Sequence, residues 1–309
     1  ANESGEITFG SGFKATTRAD IVGADAAALL GNKFYVGGYK NDGSAYSTVF
    51  DHYLVQWGAN TAGTTPANTS DWKYVGLTPL RFTGHITSGD QTLKYWDFAS
   101  SYYNFVAYSP GKDQSIIITG TPETNQILAT AIDQANLTTA AYTLTGSATD
   151  LGECYIADLV TALKSGAGSQ EVNYKSEVPF KFRQLGSKVR IALYETIPGY
   201  SVREVKFYAA DGTPIKSDAG GYSAPTTTPT LIATGDVFHT TGTMTVKFPT
   251  IGESNRSESD YNKAHVTFAA GEGDAASSTM TFTGLNYEAT KANWEDTRLN
   301  YEGNANTYL

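Results

Sequence analysis

An all-β protein with two hydrophobic cores is the fold class this sequence predicts, and three observations carry the prediction. The chain has 309 residues, more than the roughly 100–200 that one domain usually takes, so two domains are the default. Two-residue alternation recurs in short runs bounded by Gly, Pro, Asn and Asp, which is the pattern of half-buried strands rather than helices. Charged residues make up only 17% of the chain against 12% aromatic, with 20 Tyr and 31 Gly. That bias suits pleated surfaces joined by tight turns.

The clearest alternation sets Val178, Phe180 and Phe182 against Pro179, Lys181 and Arg183. Val189, Ile191 and Leu193 alternate with Arg190, Ala192 and Tyr194, and Met280 and Phe282 with Thr279, Thr281 and Thr283. Each such face must cover a core. Further strands are expected over Glu6 to Phe13, Lys33 to Tyr39, Thr48 to Trp57, Trp72 to Gly76, Tyr103 to Tyr108 and Ser115 to Thr119. Later in the chain come Val202 to Tyr208, Thr243 to Phe248 and His265 to Ala269. Helical periodicity is confined to Asp25 to Leu30 and Asn125 to Ala135, while Cys154 to Leu163 fits either a helix or a buried strand, with strand preferred.

Lys164 to Gln170 is the best linker, because Ser165, Gly166, Ala167, Gly168 and Ser169 supply mobile backbone and nothing able to fill a core. The expected domains are therefore 1–165 and 166–309, the second with a C-terminus that reads as truncated. Thr61 to Ser70 and Ser217 to Pro229 read as long surface loops. No repeat of solenoid or propeller length is visible.

A net charge of −9 and a pI near 4.9 argue against nucleic acid and anionic membranes as partners, since both demand clustered Lys and Arg. The single cysteine, Cys154, excludes an internal disulfide and reads as a small buried apolar side chain. No apolar run reaches the ~18 residues that span a bilayer. The opening Ala1 to Gly5 is small and polar, as expected of a mature form that has lost its leader.

Catalytic motifs find little support. Gly10-Ser11-Gly12, Gly166-Ala167-Gly168 and Gly271-Glu272-Gly273 lack the strand-to-helix context and the Lys of phosphate loops. His52, His85, His239 and His265 lie far apart with no metal-ligand spacing, and no Gly-x-Ser-x-Gly elbow occurs. Asp42 and Asp211 stand in Asp-Gly turns. The acidic run Glu253 to Asp260 offers oxygen ligands for a cation such as calcium, but reads better as a solvated loop. No catalytic residue, metal or cofactor is therefore expected.

Three stretches, in order and spacing, resemble the Bacteroidales fimbrillins, the type V pilins. Thr17-Arg18-Ala19 precedes the apolar strand Phe34-Tyr35-Val36-Gly37. An aromatic series follows in Trp72-Lys73-Tyr74, Lys94-Tyr95-Trp96 and Tyr103-Asn104-Phe105-Val106-Ala107-Tyr108-Ser109-Pro110. The third stretch is Ala157-Asp158-Leu159-Val160, then Val178-Pro179-Phe180-Lys181-Phe182 and Leu185-Gly186-Ser187-Lys188-Val189-Arg190-Ile191. The resemblance spans roughly Thr17 to Tyr208. It implies two β-sandwich domains of transthyretin-like type in tandem, export as a lipoprotein precursor, and a place on the outer membrane or in a fimbrium.

The resemblance also implies a mechanism of assembly. An arginine-specific protease would cut between Arg18 and Ala19, releasing a first strand that carries Ile7, Phe9 and Phe13. A strand from a neighbouring pilin subunit would then fill the groove. Gly10 and Gly12 would make the resident strand weak and detachable. Strand addition gives affinity through main-chain hydrogen bonds and register through side-chain pockets. One departure stands out: the tail from Arg298 to Leu309 is mostly polar without apolar alternation, as expected either of a truncated chain or of a subunit that accepts a strand without donating one, and strand acceptor is the safer description. The competing expectation is a monomeric surface lipoprotein that binds a host or glycan receptor through exposed Trp57, Trp72, Trp96 or Trp294.

Overall fold

Seven consecutive residues, Tyr103 to Ser109, are buried in a single strand, and that strand organises most of the molecule. The computed structural model describes residues 5–13, 21–58, 71–85, 88–168, 171–186, 239–251, 261–272 and 274. It also describes the strand pairs 188–189 with 307–308, 205–206 with 279–280, and 217–218 with 221–222. The chain divides into two units, one of residues 1–185 and 243–269, the other of 186–242 and 270–309.

The first unit holds strands β1 (Phe9–Phe13), β2 (Ile21–Val22), β3 (Lys33–Asn41), β4 (Tyr46–Trp57), β5 (Trp72–Lys73), β6 (Tyr102–Ser109) and β7 (Ser115–Ile117). It continues with β8 (Gln126–Ala129), β9 (Tyr142–Ser147), β10 (Tyr155–Ala157), β11 (Val160–Leu163), β12 (Glu171–Asn173) and β13 (Val178–Gln184). A ten-stranded sheet runs β2-β1-β13-β10-β6-β3-β4-β5, with β11 paired to both β6 and β12. A second, five-stranded sheet runs from strand His265–Ala270 through strand Thr241–Lys247 to β9, β8 and β7. The regular structure of the described residues is thus mostly β, as the alternation predicts. A short helix at Gly23–Leu29 stands close to the helix expected from Asp25.

β6 is buried on both faces because a core lies on each side of it. Tyr103, Phe105 and Ala107 point into a first core with Ile7, Phe9, Phe34, Phe50, Tyr74 and Phe180. Val106 and Tyr108 point the other way, into a second core with Ile127, Leu144, Val246 and Phe248. The period of two in a strand makes this division. Among the described residues both cores lie within the first unit.

β4 departs from strict alternation, and the departure has a consequence for side-chain placement. Val36 faces Tyr53 and Gly38 faces Phe50, so Asp51 and His52 together oppose Gly37. This is a β-bulge, in which one extra residue re-aims its neighbours. His52 takes a left-handed backbone, φ 52°, and Phe50 and Tyr53 both enter the first core despite being three apart. Opposite the bulge, a Cβ on Gly38 would lie 2.6 Å from Phe50 Cδ2 and 3.1 Å from Phe105. Gly38→Ala is therefore expected to destabilise by about 1–3 kcal/mol through overpacking, read as a lower urea midpoint at unchanged slope.

Two expectations meet a different outcome. The helix expected at Asn125 to Ala135 is instead β8 followed by a single 3₁₀ turn, Gln134–Asn136. Ile127 and Ala129 are buried while Gln126 and Leu128 are half-buried, and β7 and β9 flank the segment as ladder partners. Tertiary pairing there outweighs a weak helical period. The glycine-rich stretch 164–168 follows β11 within the first unit, where β12 pairs with β11 and β13 lies between β1 and β10. Cys154 to Leu163 forms strands β10 and β11, with Asp158 and Leu159 between them.

Candidate functional site

The N-terminal segment 5–13 is inserted into the first core and does not lie across its surface. Phe9 is fully buried, its ring 5.0 Å from Phe50, 5.7 Å from Tyr74 and Phe180, 6.0 Å from Phe105 and 6.3 Å from Phe34. Four of these contacts are edge-on and the one with Phe180 is stacked, arrangements favoured by the ring quadrupole. Ile7 is also fully buried, whereas Phe13 is half-buried against Tyr155 and Phe182. The apolar positions 7, 9 and 13 share one parity. That is why an extended chain delivers all three inward.

Backbone bonds hold the segment on two sides. Ile7 N–H donates to Lys94 O (2.9 Å) and Trp96 N–H to Gly5 O (3.1 Å), beside an antiparallel bridge of Glu6 with Tyr95. On the other side Val178 N–H donates to Thr8 O (2.9 Å), and β1 then runs parallel to β13 from Phe9 opposite Val178 to Gly12 opposite Lys181. Tyr74 Oη donates to Ile7 O (2.7 Å) and Trp72 Nε1 to Ser11 Oγ (3.0 Å). Burial of Ile7 and Phe9 contributes about 1.5–3 kcal/mol each. At Gly12 and Phe13 the second edge of β1 pairs with the two-residue β2, whose Ile21 and Val22 are exposed.

A cleft of about 340 Å³ lies against β1, with Ser11, Phe13, Trp57, Trp72 and Phe180 in its walls and Glu177 at its rim. The Glu177 carboxyl pKa is raised, first by partial burial and then by the charge of Asp71. A Cβ on Gly10 would strike the Glu177 carboxyl.

The β4 bulge assembles a second polar constellation. Asp51 Oδ1 meets His52 Nδ1 at 2.8 Å and His85 Nδ1 at 3.0 Å. Asp51 and His52 are buried and His85 is half-buried. The three donor atoms lie within 4.8 Å of one another, close enough for a metal. The tautomer argues otherwise. His52 Nε2 accepts the Ile132 N–H at 2.9 Å, so its proton sits on Nδ1 and points at Asp51. A metal on Nδ1 would move that proton to Nε2 and set two N–H donors against each other. The cluster instead ties the bulge to the second core and to the loop that carries His85. Burial lowers the His52 pKa, an effect Asp51 opposes and His85 reinforces.

Of the residues singled out in the sequence, Ile7, Phe9 and Phe13 are brought together in the first core. Arg18 and Ala19 lie outside the described residues, as do Asp211, Trp294 and the run from Glu253 to Asp260. Trp72 and Trp96 are core residues, 2% and 1% exposed, and so offer no platform; Trp57 is half-buried at 5.2 Å from Trp72. His239 pairs with Asp274 (2.6 Å) in the second unit, and hydrogen bonds from His239 and from the Thr240 and Thr241 N–H groups hold that carboxyl far below the usual range. Cys154 is buried, and burial pushes its thiol pKa up. The Asp51-His52-His85 cluster was invisible in sequence because 33 residues separate its two histidines; only the adjacent Asp-His pair hinted at it. Neither a family model, nor a curated protein, nor a solved structure matches this chain.

Proposed function

We propose that this chain is a strand-accepting structural subunit of a surface fibre, of the fimbrillin type that its sequence resembles. The supporting observation is the placement of segment 5–13. A short, glycine-containing stretch near the start of the chain supplies two fully buried side chains, Ile7 and Phe9, to the centre of a large aromatic core. Removal of such a segment leaves a groove with an apolar floor and unpaired backbone groups on both sides, at Lys94 and Val178. An extended strand from a neighbouring subunit satisfies both at once.

In this reading an arginine-specific protease cuts between Arg18 and Ala19, and the subunit plays no catalytic part. The chain is, in the same reading, a tandem of transthyretin-like sandwiches whose first unit holds both described cores, and the subunit contributes to adhesion after export as a lipoprotein precursor. The test is to incubate the purified chain with an arginine-specific protease and follow size by gel filtration and electron microscopy. Cutting after Arg18, followed by uptake of strands or growth of polymers, is expected. A monodisperse product with the Arg18 bond intact after prolonged incubation would count against the reading.

A further inference from the structure

We propose that β1 is an under-filling occupant of its own groove, and that the cleft beside Ser11 is the seat of a bulkier side chain on the strand that replaces it. The inference rests on the strand-accepting reading and names the chemistry of the incoming partner. That partner is an extended segment running parallel to β13, with a large apolar residue where β1 has Ser11.

The inward-facing positions of the resident segment are Ile7, Phe9, Ser11 and Phe13, by the alternation of an extended chain. Three of the four are large and apolar; the fourth is a hydroxymethyl group. At that fourth position stands the cleft of about 340 Å³, walled by Phe13, Trp57, Trp72 and Phe180. Trp72 Nε1 donates one hydrogen bond to Ser11 Oγ, 3.0 Å. The cleft opens to the surface past exposed Val22, Asp71 and Lys181, and its aromatic walls forfeit the contacts that a larger side chain would make. The flanking Gly10 and Gly12 add nothing to fill it.

The occupant is fixed as an extended strand because the resident one shows how the site binds backbone. Val178 N–H holds Thr8 O, and the register Phe9 to Val178 through Gly12 to Lys181 sets where each side chain falls. An incoming strand in the same register places its third inward residue at the cleft. A resident strand that leaves this space open yields more readily than one that fills it, and the exchange then runs towards the better-fitting strand.

The decisive experiment uses the full chain with a specific protease site introduced between residues 14 and 20, cut while the N-terminal fragment that carries β1 stays bound. Two peptides of residues 5–13 compete for the groove, one of native sequence and one with Ser11→Leu. The leucine peptide is expected to displace the resident fragment at a concentration at least about tenfold lower, a difference of ~1.4 kcal/mol. Equal or weaker displacement overturns the proposal. Should neither peptide exchange, strand acceptance itself fails, and the under-filling is judged in the uncut chain by comparing Ser11→Leu with Ser11→Ala. Both lose the bond to Trp72, so a Tm higher by about 2–4 °C for leucine reports filling of the cleft. An equal or lower Tm for leucine overturns the under-filling as well.

Discussion

Phe9→Ala is expected to lower the unfolding free energy by about 3–5 kcal/mol, near the top of the range for single substitutions. The ring is fully buried and touches Phe34, Phe50, Tyr74, Phe105 and Phe180, rings that belong to four other strands and to the loop after β5. Four of these neighbours sit in strands of the ten-stranded sheet, held by ladder bonds, so they collapse only partly into the space left behind. Phe13→Ala is the internal comparison. Phe13 is half-buried at the far end of the same strand, and its loss is expected to cost distinctly less. Urea denaturation at constant slope measures both. Equal effects would show that segment 5–13 is not seated as an inserted plug, and would weaken the proposed role of the groove.

The second large effect is expected at the β4 bulge. Asp51→Ala removes the acceptor shared by His52 and His85 and strands the buried His52 Nδ1–H, at an expected cost of about 1–3 kcal/mol, the range for a buried donor left without a partner. The same cluster predicts a pH dependence. Burial depresses the His52 pKa below its ordinary 6.5, so the unfolded chain takes up this proton before the folded one does. The stability associated with neutral His52 is therefore whole above about pH 6.5 and is lost as pH falls from there through the lower folded-state value. Thermal melts between pH 7.5 and 5 should show a falling Tm. In His52→Asn, which suits the left-handed backbone, that fall should be shallower; an unchanged slope would assign the titration elsewhere.

Much of the β architecture was legible because strand burial writes itself into a period of two. Val178, Phe180 and Phe182 announce β13, and each is buried while Pro179 and Lys181 are exposed. Tyr103 to Tyr108 announced a strand, but the run of buried residues there conceals which core each side chain enters; only the sheet on either side decides that. The helix expected from Asn125 failed because a four-residue strand pattern, Gln-Ile-Leu-Ala, is too short to be distinguished from a helical turn until β7 and β9 supply ladders. The Asp51-His52-His85 cluster escaped notice because a bulge, which shifts side-chain parity by one residue, leaves no periodic mark.

By itself the sequence determined the strand-rich class, the buried state of Cys154 and the inward row of Ile7, Phe9 and Phe13, since each follows from local pattern and residue chemistry. Only the tertiary structure decided where that row goes. Its floor of five rings comes from segments scattered between Phe34 and Phe180, and its backbone partners from Lys94 on one side and Val178 on the other. Such pairings join residues far apart in the chain, and no local preference specifies them. The cleft beside Ser11 belongs to the same category. A small residue in an alternating strand is unremarkable in sequence, and becomes a vacancy only when Trp57, Trp72 and Phe180 are brought around it.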